Sequence, residues 1–114
     1  MVIFMSENII GRFYFKRTSN GNLIGEFSNN KRKRIFTESA DLIGNGSSFN
    51  GNYNSTWYDK KPIFAKLSII SNGKKYSLYW NEENKETSFW GEGILYDNIL
   101  IGDYRNFKDI EKCK

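Results

Sequence analysis

Histidine is absent from the 114 residues, and the single cysteine, Cys113, has no second thiol to pair with. Together these absences exclude an intramolecular disulfide, zinc held by thiolates or imidazoles, haem on a histidine, and Ser-His-Asp or Cys-His nucleophile systems. A catalyst built from this chain has only Asp, Glu, Tyr, Lys and Arg to move protons, with no ordinary near-neutral base among them. An enzyme is therefore not expected, and neither is a cofactor. Proline occurs once, as Pro62, and no Pro- or Ser-rich stretch marks an internal boundary, so residues 1–114 read as one domain. The hydrophobic run Val2-Ile3-Phe4-Met5 is far too short for a secretory signal or a membrane span. A reducing cytoplasm is the expected setting, and no membrane is expected as a partner. Met5-Ser6-Glu7-Asn8 reads as a natural start, which leaves Val2, Ile3 and Phe4 as an upstream extension or as a short strand plugging one end of the fold.

Aromatic residues, by contrast, are plentiful: nine Phe, seven Tyr and three Trp make up 17% of the chain. Each buried ring removes roughly 150–250 Å² from water, so a few suffice to fill a small core. Three stretches share a pattern: Leu23-Ile-Gly25-Glu-Phe27, Phe49-Asn-Gly51-Asn-Tyr53 and Leu100-Ile-Gly102-Asp-Tyr104. An apolar residue, a glycine and an aromatic occupy alternate positions, and a period of two is the signature of a β-strand. Glycine weakens a strand interior, so its recurrence marks a bend, a bulge or a close approach. Strands that coil strongly into a closed barrel need such points, and Gly25, Gly51 and Gly102 are the expected ones.

Asn20-Gly21 and Asn72-Gly73 each separate alternating hydrophobic runs and predict type I′ hairpins, whose two central residues require positive φ. Asp97-Asn98 is a weaker third case, and Gly44-Asn45-Gly46 a fourth reversal. The breaks delimit strands near residues 9–17, 22–28, 34–42, 48–57, 63–71, 74–80, 87–96 and 98–105. The expected fold is all-β, an antiparallel up-and-down barrel of about eight strands. Only the tail has a helical spacing, with Phe107 and Ile110 three apart, and a short C-terminal helix capping one end is expected there.

These features resemble the calycin superfamily of small ligand-binding barrels, which includes lipocalins, fatty-acid-binding proteins and avidins. Gly11-x-Phe13 is similar to the glycine–x–tryptophan opening of lipocalins and avidins, with Phe in place of Trp. Leu23-x-Gly25-x-Phe27 and Phe49-x-Gly51-x-Tyr53-x-Ser55 resemble the second and third strands of avidin-like barrels, and Thr87-Ser-Phe-Trp90-Gly resembles a strand that carries a binding-site tryptophan. The resemblance implies a pocket inside the barrel. It also shows departures: Phe27 and Asn29 stand where a Tyr and a Ser would meet a biotin ureido group, and Phe15 stands where an Asn would. Biotin is thereby not the expected ligand, and what the resemblance carries over is architecture.

Alternation assigns the faces. Gly11, Phe13 and Phe15 are expected inside, with Leu23, Gly25 and Phe27, then Phe49 to Trp57 at every second residue, Ala65, Leu67 and Ile69, and Tyr76, Leu78 and Trp80. The seventh strand is ambiguous between Phe89-Gly91-Gly93-Leu95 and Trp90-Glu92-Ile94. The candidate ligand-binding residues are Phe15, Phe27, Tyr53, Ser55, Trp57, Tyr76, Trp80 and Tyr104 from the pattern, with Trp90 added by the resemblance. Rings of this kind stack on a flat aromatic or amphipathic ligand while hydroxyls orient it; the competing reading is that they fill the barrel solidly.

Net charge is +4, from 17 basic against 13 acidic residues, an ordinary excess for a domain of this size. Lys31-Arg32-Lys33-Arg34 is the one basic run, either a solvated turn or an anion-binding edge for a nucleotide or nucleic acid. Exposed aromatics such as Tyr14, Tyr79 or Trp90 offer a third function, a protein interface, and oligomerisation stays open. Glu26, Glu38, Glu92, Asp41 and Asp103 are the carboxylates available for acid–base work, and solvated strand faces account for nearly all of them. The expected function is non-enzymatic binding of a small molecule in an aromatic-lined barrel, with nucleotide or nucleic-acid binding and protein interaction as alternatives.

Overall fold

Eight alternating segments do become eight strands. In the computed structural model, which describes residues 8–83 and 88–107, they are β1 (Ile10–Arg17), β2 (Leu23–Asn29), β3 (Arg32–Leu42), β4 (Gly51–Tyr58), β5 (Pro62–Asn72), β6 (Lys75–Glu82), β7 (Ser88–Tyr96) and β8 (Ile99–Phe107). Each pairs antiparallel with the next, and β8 pairs back onto β1 from Ile10↔Arg105 to Lys16↔Ile99, so the sheet is a closed up-and-down barrel without a free edge. No helix occurs among the described residues. The helix expected in the tail and the role expected for Val2, Ile3 and Phe4 lie outside the described residues.

The hairpins form where the sequence places them, but two use different turn chemistry. At Asn20-Gly21 the loop is three residues long: Gly21 N–H donates to the Thr18 carbonyl at 3.0 Å, and Gly21 alone takes positive φ, +87°. That is a type I turn closed by a left-handed residue. Asn72 pairs with Lys75, so the central residues of the next turn are Gly73 and Lys74, and only Gly73 has positive φ (+70°). Glycine at the first central position is the demand of a II′ turn. Asp97 (+54°) and Asn98 (+68°), the weaker candidate, are the pair with the two positive φ values of a I′ turn.

Barrel closure depends on glycines that let backbones touch. A Cβ on Gly25 would fall on the Tyr14 carbonyl oxygen, and one on Gly102 would fall on the Glu92 carbonyl oxygen and come 2.7 Å from Gly93 Cα. Neighbouring strands are thus too close there for any side chain, which is what strong coiling requires. Gly51 contributes differently, through a φ of +148° at the start of β4.

The inward faces follow the alternation. Phe13 and Phe15, Tyr53 and Ser55, Ala65, Leu67 and Ile69, and Leu78 and Trp80 are buried, and β7 resolves its ambiguity by turning Gly91 and Gly93 inward. Leu23, Leu67, Leu78 and Leu100 are fully removed from solvent, each contributing about 1.5–3 kcal/mol. The end of the barrel bearing the 43–50 loop is sealed. Phe49 folds in from that loop and meets Tyr76 edge-on at 6.2 Å, while Tyr53 donates its hydroxyl to the Phe49 carbonyl at 2.7 Å. Among the described residues, the opposite end, where β1 starts and β8 finishes, is left open.

Candidate functional site

The open end holds a cavity of about 270 Å³. Its wall is rich in rings: Phe13, Phe27, Phe36, Trp57, Trp80, Phe89 and Tyr104 come from seven different strands. Phe27 and Phe36, directly paired across β2 and β3, stack at 5.0 Å with planes 8° apart. Trp57 and Tyr104 meet Phe27 edge-on at 5.7 and 6.0 Å, and Phe89 meets Tyr104 edge-on at 5.8 Å. Such edge-to-face contacts fix each ring's orientation beyond what burial alone does. Gly11 makes room for this wall, since a Cβ there would stand 2.5 Å from the Tyr104 ring.

One carboxyl group interrupts the rings. Glu38 of β3 is 5% exposed, and Ser55 Oγ and Trp80 Nε1 both donate to its Oε2, the latter at 2.9 Å. Burial disfavours its ionised form and pushes its pKa up from 4.5 to about 7; the hydrogen bonds from Ser55 and Trp80 pull the other way without cancelling that effect. Beside it, burial raises the Tyr104 hydroxyl to about 12, against the opposing hydrogen bond from Asn29; the Glu38 charge adds to the rise. Asn29 Nδ2 donates to that hydroxyl at 3.0 Å, and the hydroxyl donates to the Ser28 carbonyl at 3.3 Å.

The mouth is polar. Lys31, Arg32, Asp59 and Glu82 reach the cavity, and Arg32 pairs with Asp59 at 2.9 Å. Arg34 lies over the Phe36 ring, 4.6 Å from its centroid, while Lys33 is exposed and outside the cavity wall. The basic run and the aromatic set, distinct features of the sequence, therefore share one end of the barrel.

Among the nine aromatic and hydroxyl candidates the structure brings Phe27, Trp57, Trp80 and Tyr104 to the cavity, and Ser55 supports it through Glu38. Phe15 and Tyr53 are core residues, at 1% and 0% exposure. Tyr53 shares a strand face with Trp57, yet the four residue steps that separate them span about 13 Å at the usual rise, which takes Tyr53 to the sealed end with Tyr76. Trp90 lies on the outer wall, where Arg105 of β8 sits 5.4 Å above its ring. Tyr14 and Tyr79 also face outward, with Tyr14 hydrogen-bonded to Glu26 at 2.8 Å.

The ligand-binding set misses Phe13, Phe36 and Phe89 among the rings of the wall, and Glu38. Phe36-x-Glu38-x-Ala40 on β3 carries the same alternation used elsewhere, but a glutamate on an inward row looks like a mistaken register until its partners are known. A larger depression, about 630 Å³, lies on the outer wall over Gly93 and Gly102, between Tyr14, Glu26, Ile94 and Ile101. It is an open surface groove with no buried polar group aimed into it.

No family model, curated protein or solved structure matches the chain. The closed eight-strand barrel stands on its own geometry, and no relative places it among the calycins. Among the described residues no cluster of three or more acidic or cysteine side chains is arranged to hold a metal ion.

Proposed function

We propose that the protein is a calycin-like binding barrel that holds a small, flat or amphipathic molecule at its open end without transforming it. The observation that carries this reading is the asymmetry of the interior. One end is filled by Phe49, Tyr53 and Tyr76, whereas the other keeps a space of about 270 Å³ framed by rings and one buried carboxyl group. A cleft lined by apolar groups with a few convergent polar ones is the usual form of a small-molecule site. Binding rather than catalysis is favoured because Glu38, which titrates near 7, has among the described residues no second acid or base of matched pKa beside it: the other titratable group deep in the wall, Tyr104, is held near 12. That leaves Glu38 alone, already accepting two hydrogen bonds.

Benzyl alcohol followed by tryptophan fluorescence tests the reading. Trp57 and Trp80 line the cavity and Trp90 does not, so saturable quenching is expected in the wild type and a reduced response in Trp57→Ala. A wild-type signal that never saturates would remove the pocket from consideration.

Nucleotide binding has one observation in its favour: Lys31 and Arg32 stand at the mouth of the aromatic cavity, where a phosphate would follow a stacked base. The Arg32–Asp59 ion pair already occupies one of the two cations. Adenosine monophosphate binding that weakens steeply with added salt would select this second reading.

A further inference from the structure

The surroundings of one side chain specify the ligand's chemistry, in an argument that rests on the binding reading above. Glu38 is the one charged residue among the buried described residues. No lysine or arginine among them forms an ion pair with it, the single such pair being Arg32 with Asp59. Its two donors, Ser55 and Trp80, are neutral, and both reach the same oxygen. A second acceptor on the cavity wall lacks a donor: Asp59 Oδ1 is buried without a hydrogen-bond partner, while Oδ2 accepts from Arg32. The rings of Phe27, Phe36 and Trp57 complete the surroundings. Carboxylate acceptors and aromatic faces share one preference, for a positively charged N–H group.

We propose that the cavity takes a small organic cation, a protonated amine on a flat apolar group, with its nitrogen against Glu38 and its body among Phe27, Phe36 and Trp57. Among the described residues, the ionisable groups facing this space besides Glu38 are Lys31 and Arg32 from the β2–β3 turn and the start of β3, Asp59 from the β4–β5 turn, Glu82 of β6 and Tyr104 of β8. Of the two cations, Arg32 is held by Asp59. The ammonium group supplies the counter-charge that Glu38 lacks. Below about pH 7, binding then releases the proton that the buried carboxyl holds when the site is empty.

Three probes of similar shape and different charge test this: benzylammonium, benzyl alcohol and benzoate, titrated at pH 6 and pH 8 with tryptophan fluorescence as readout. The wild type should bind benzylammonium most tightly at pH 8. Its affinity should fall about tenfold at pH 6, because only the ionised fraction of a carboxyl titrating near 7 is competent. Glu38→Gln keeps an oxygen for Ser55 and Trp80, and it should abolish both the preference for benzylammonium over benzyl alcohol and the pH dependence of benzylammonium binding. Wild-type binding with no charge preference, or a preference for benzoate, would overturn the cation assignment and leave the pocket intact. Absence of saturable binding by all three would overturn both. The wild-type comparison decides the matter even if the variant folds poorly.

Discussion

Glu38 makes the stability of the barrel depend on pH in an unusual direction. Most carboxylates in folded proteins titrate below their unfolded values and stabilise as pH rises. Glu38 does the reverse, since burial raises it from 4.5 to about 7. Between those two values the folded chain binds more protons at this position than the unfolded chain does, so each step up in pH favours unfolding. The loss begins near pH 4.5, is nearly complete a little above 7, and then levels off. At 1.36 kcal/mol per pH unit the window amounts to about 3 kcal/mol, a large part of the 5–15 kcal/mol typical of a domain. Urea denaturation of the wild type and of Glu38→Gln from pH 4 to pH 9 measures this directly. Subtracting the two curves cancels the other carboxylates, and any constant offset from the amide drops out of the slope. The variant should gain on the wild type by about 3 kcal/mol across the window. A flat difference curve, or one in which the wild type gains as pH rises, would refute the claim that burial dominates over the Ser55 and Trp80 hydrogen bonds.

Other expectations follow from single contacts. Ser55→Ala removes one donor from the buried carboxyl and should cost about 1–3 kcal/mol at pH 8, and less at pH 5 where Glu38 is protonated; paired urea titrations resolve the difference. Gly102→Ala sets a methyl group on the Glu92 carbonyl oxygen and should destabilise by about 1–3 kcal/mol or more, seen as a lower Tm. Tyr53→Phe loses the hydroxyl bond to Phe49 at the sealed end and should cost about 1 kcal/mol in stability while leaving benzyl alcohol affinity unchanged. Arg32→Ser breaks a largely exposed ion pair and should cost less than about 1 kcal/mol, whereas Lys33→Ser should change nothing measurable in the same assay.

Strand number, order and facing were legible in the chain because a period of two leaves a clear trace in β1, where Phe13 and Phe15 alternate with Arg12, Tyr14 and Lys16. The weak spots were positions where that trace is faint. On β7 glycines occupy the inward row, so Trp90 and Phe89 compete for it on composition alone, and only pairing with β8 decides. The turn at Asn72-Gly73 was displaced by one residue because register, set by both strands, overrides a dipeptide preference. Within the site, Trp57, Trp80, Phe27 and Tyr104 were visible as inward aromatics. Depth along the barrel was not, which is why Tyr53 and Tyr76 were grouped with them. Glu38 was visible only as one carboxylate among several, since the sequence gives no sign that Ser55 and Trp80 converge on it from β4 and β6.

The pairing of β8 with β1 also determines how the chain reaches its folded state. Seven of the eight strand pairings join neighbours in sequence, and each can form as a local hairpin. The eighth joins Ile10 to Arg105, so closure waits for nearly the whole chain, and this long-range step should set the folding rate. Once made, it stitches the two ends together: Ile9 N–H donates to Asn106 Oδ1 at 3.0 Å, and Asn106 N–H donates to the Ile9 carbonyl at 3.1 Å. Strand ends that lie side by side, as the start of β1 and the end of β8 do, can be linked and the ring of strands reopened elsewhere. A circular permutant cut between Gly73 and Lys74 turns the slow closure into a hairpin and makes β5 with β6 the last pair to meet. The barrel would be the same, assembled in a different order.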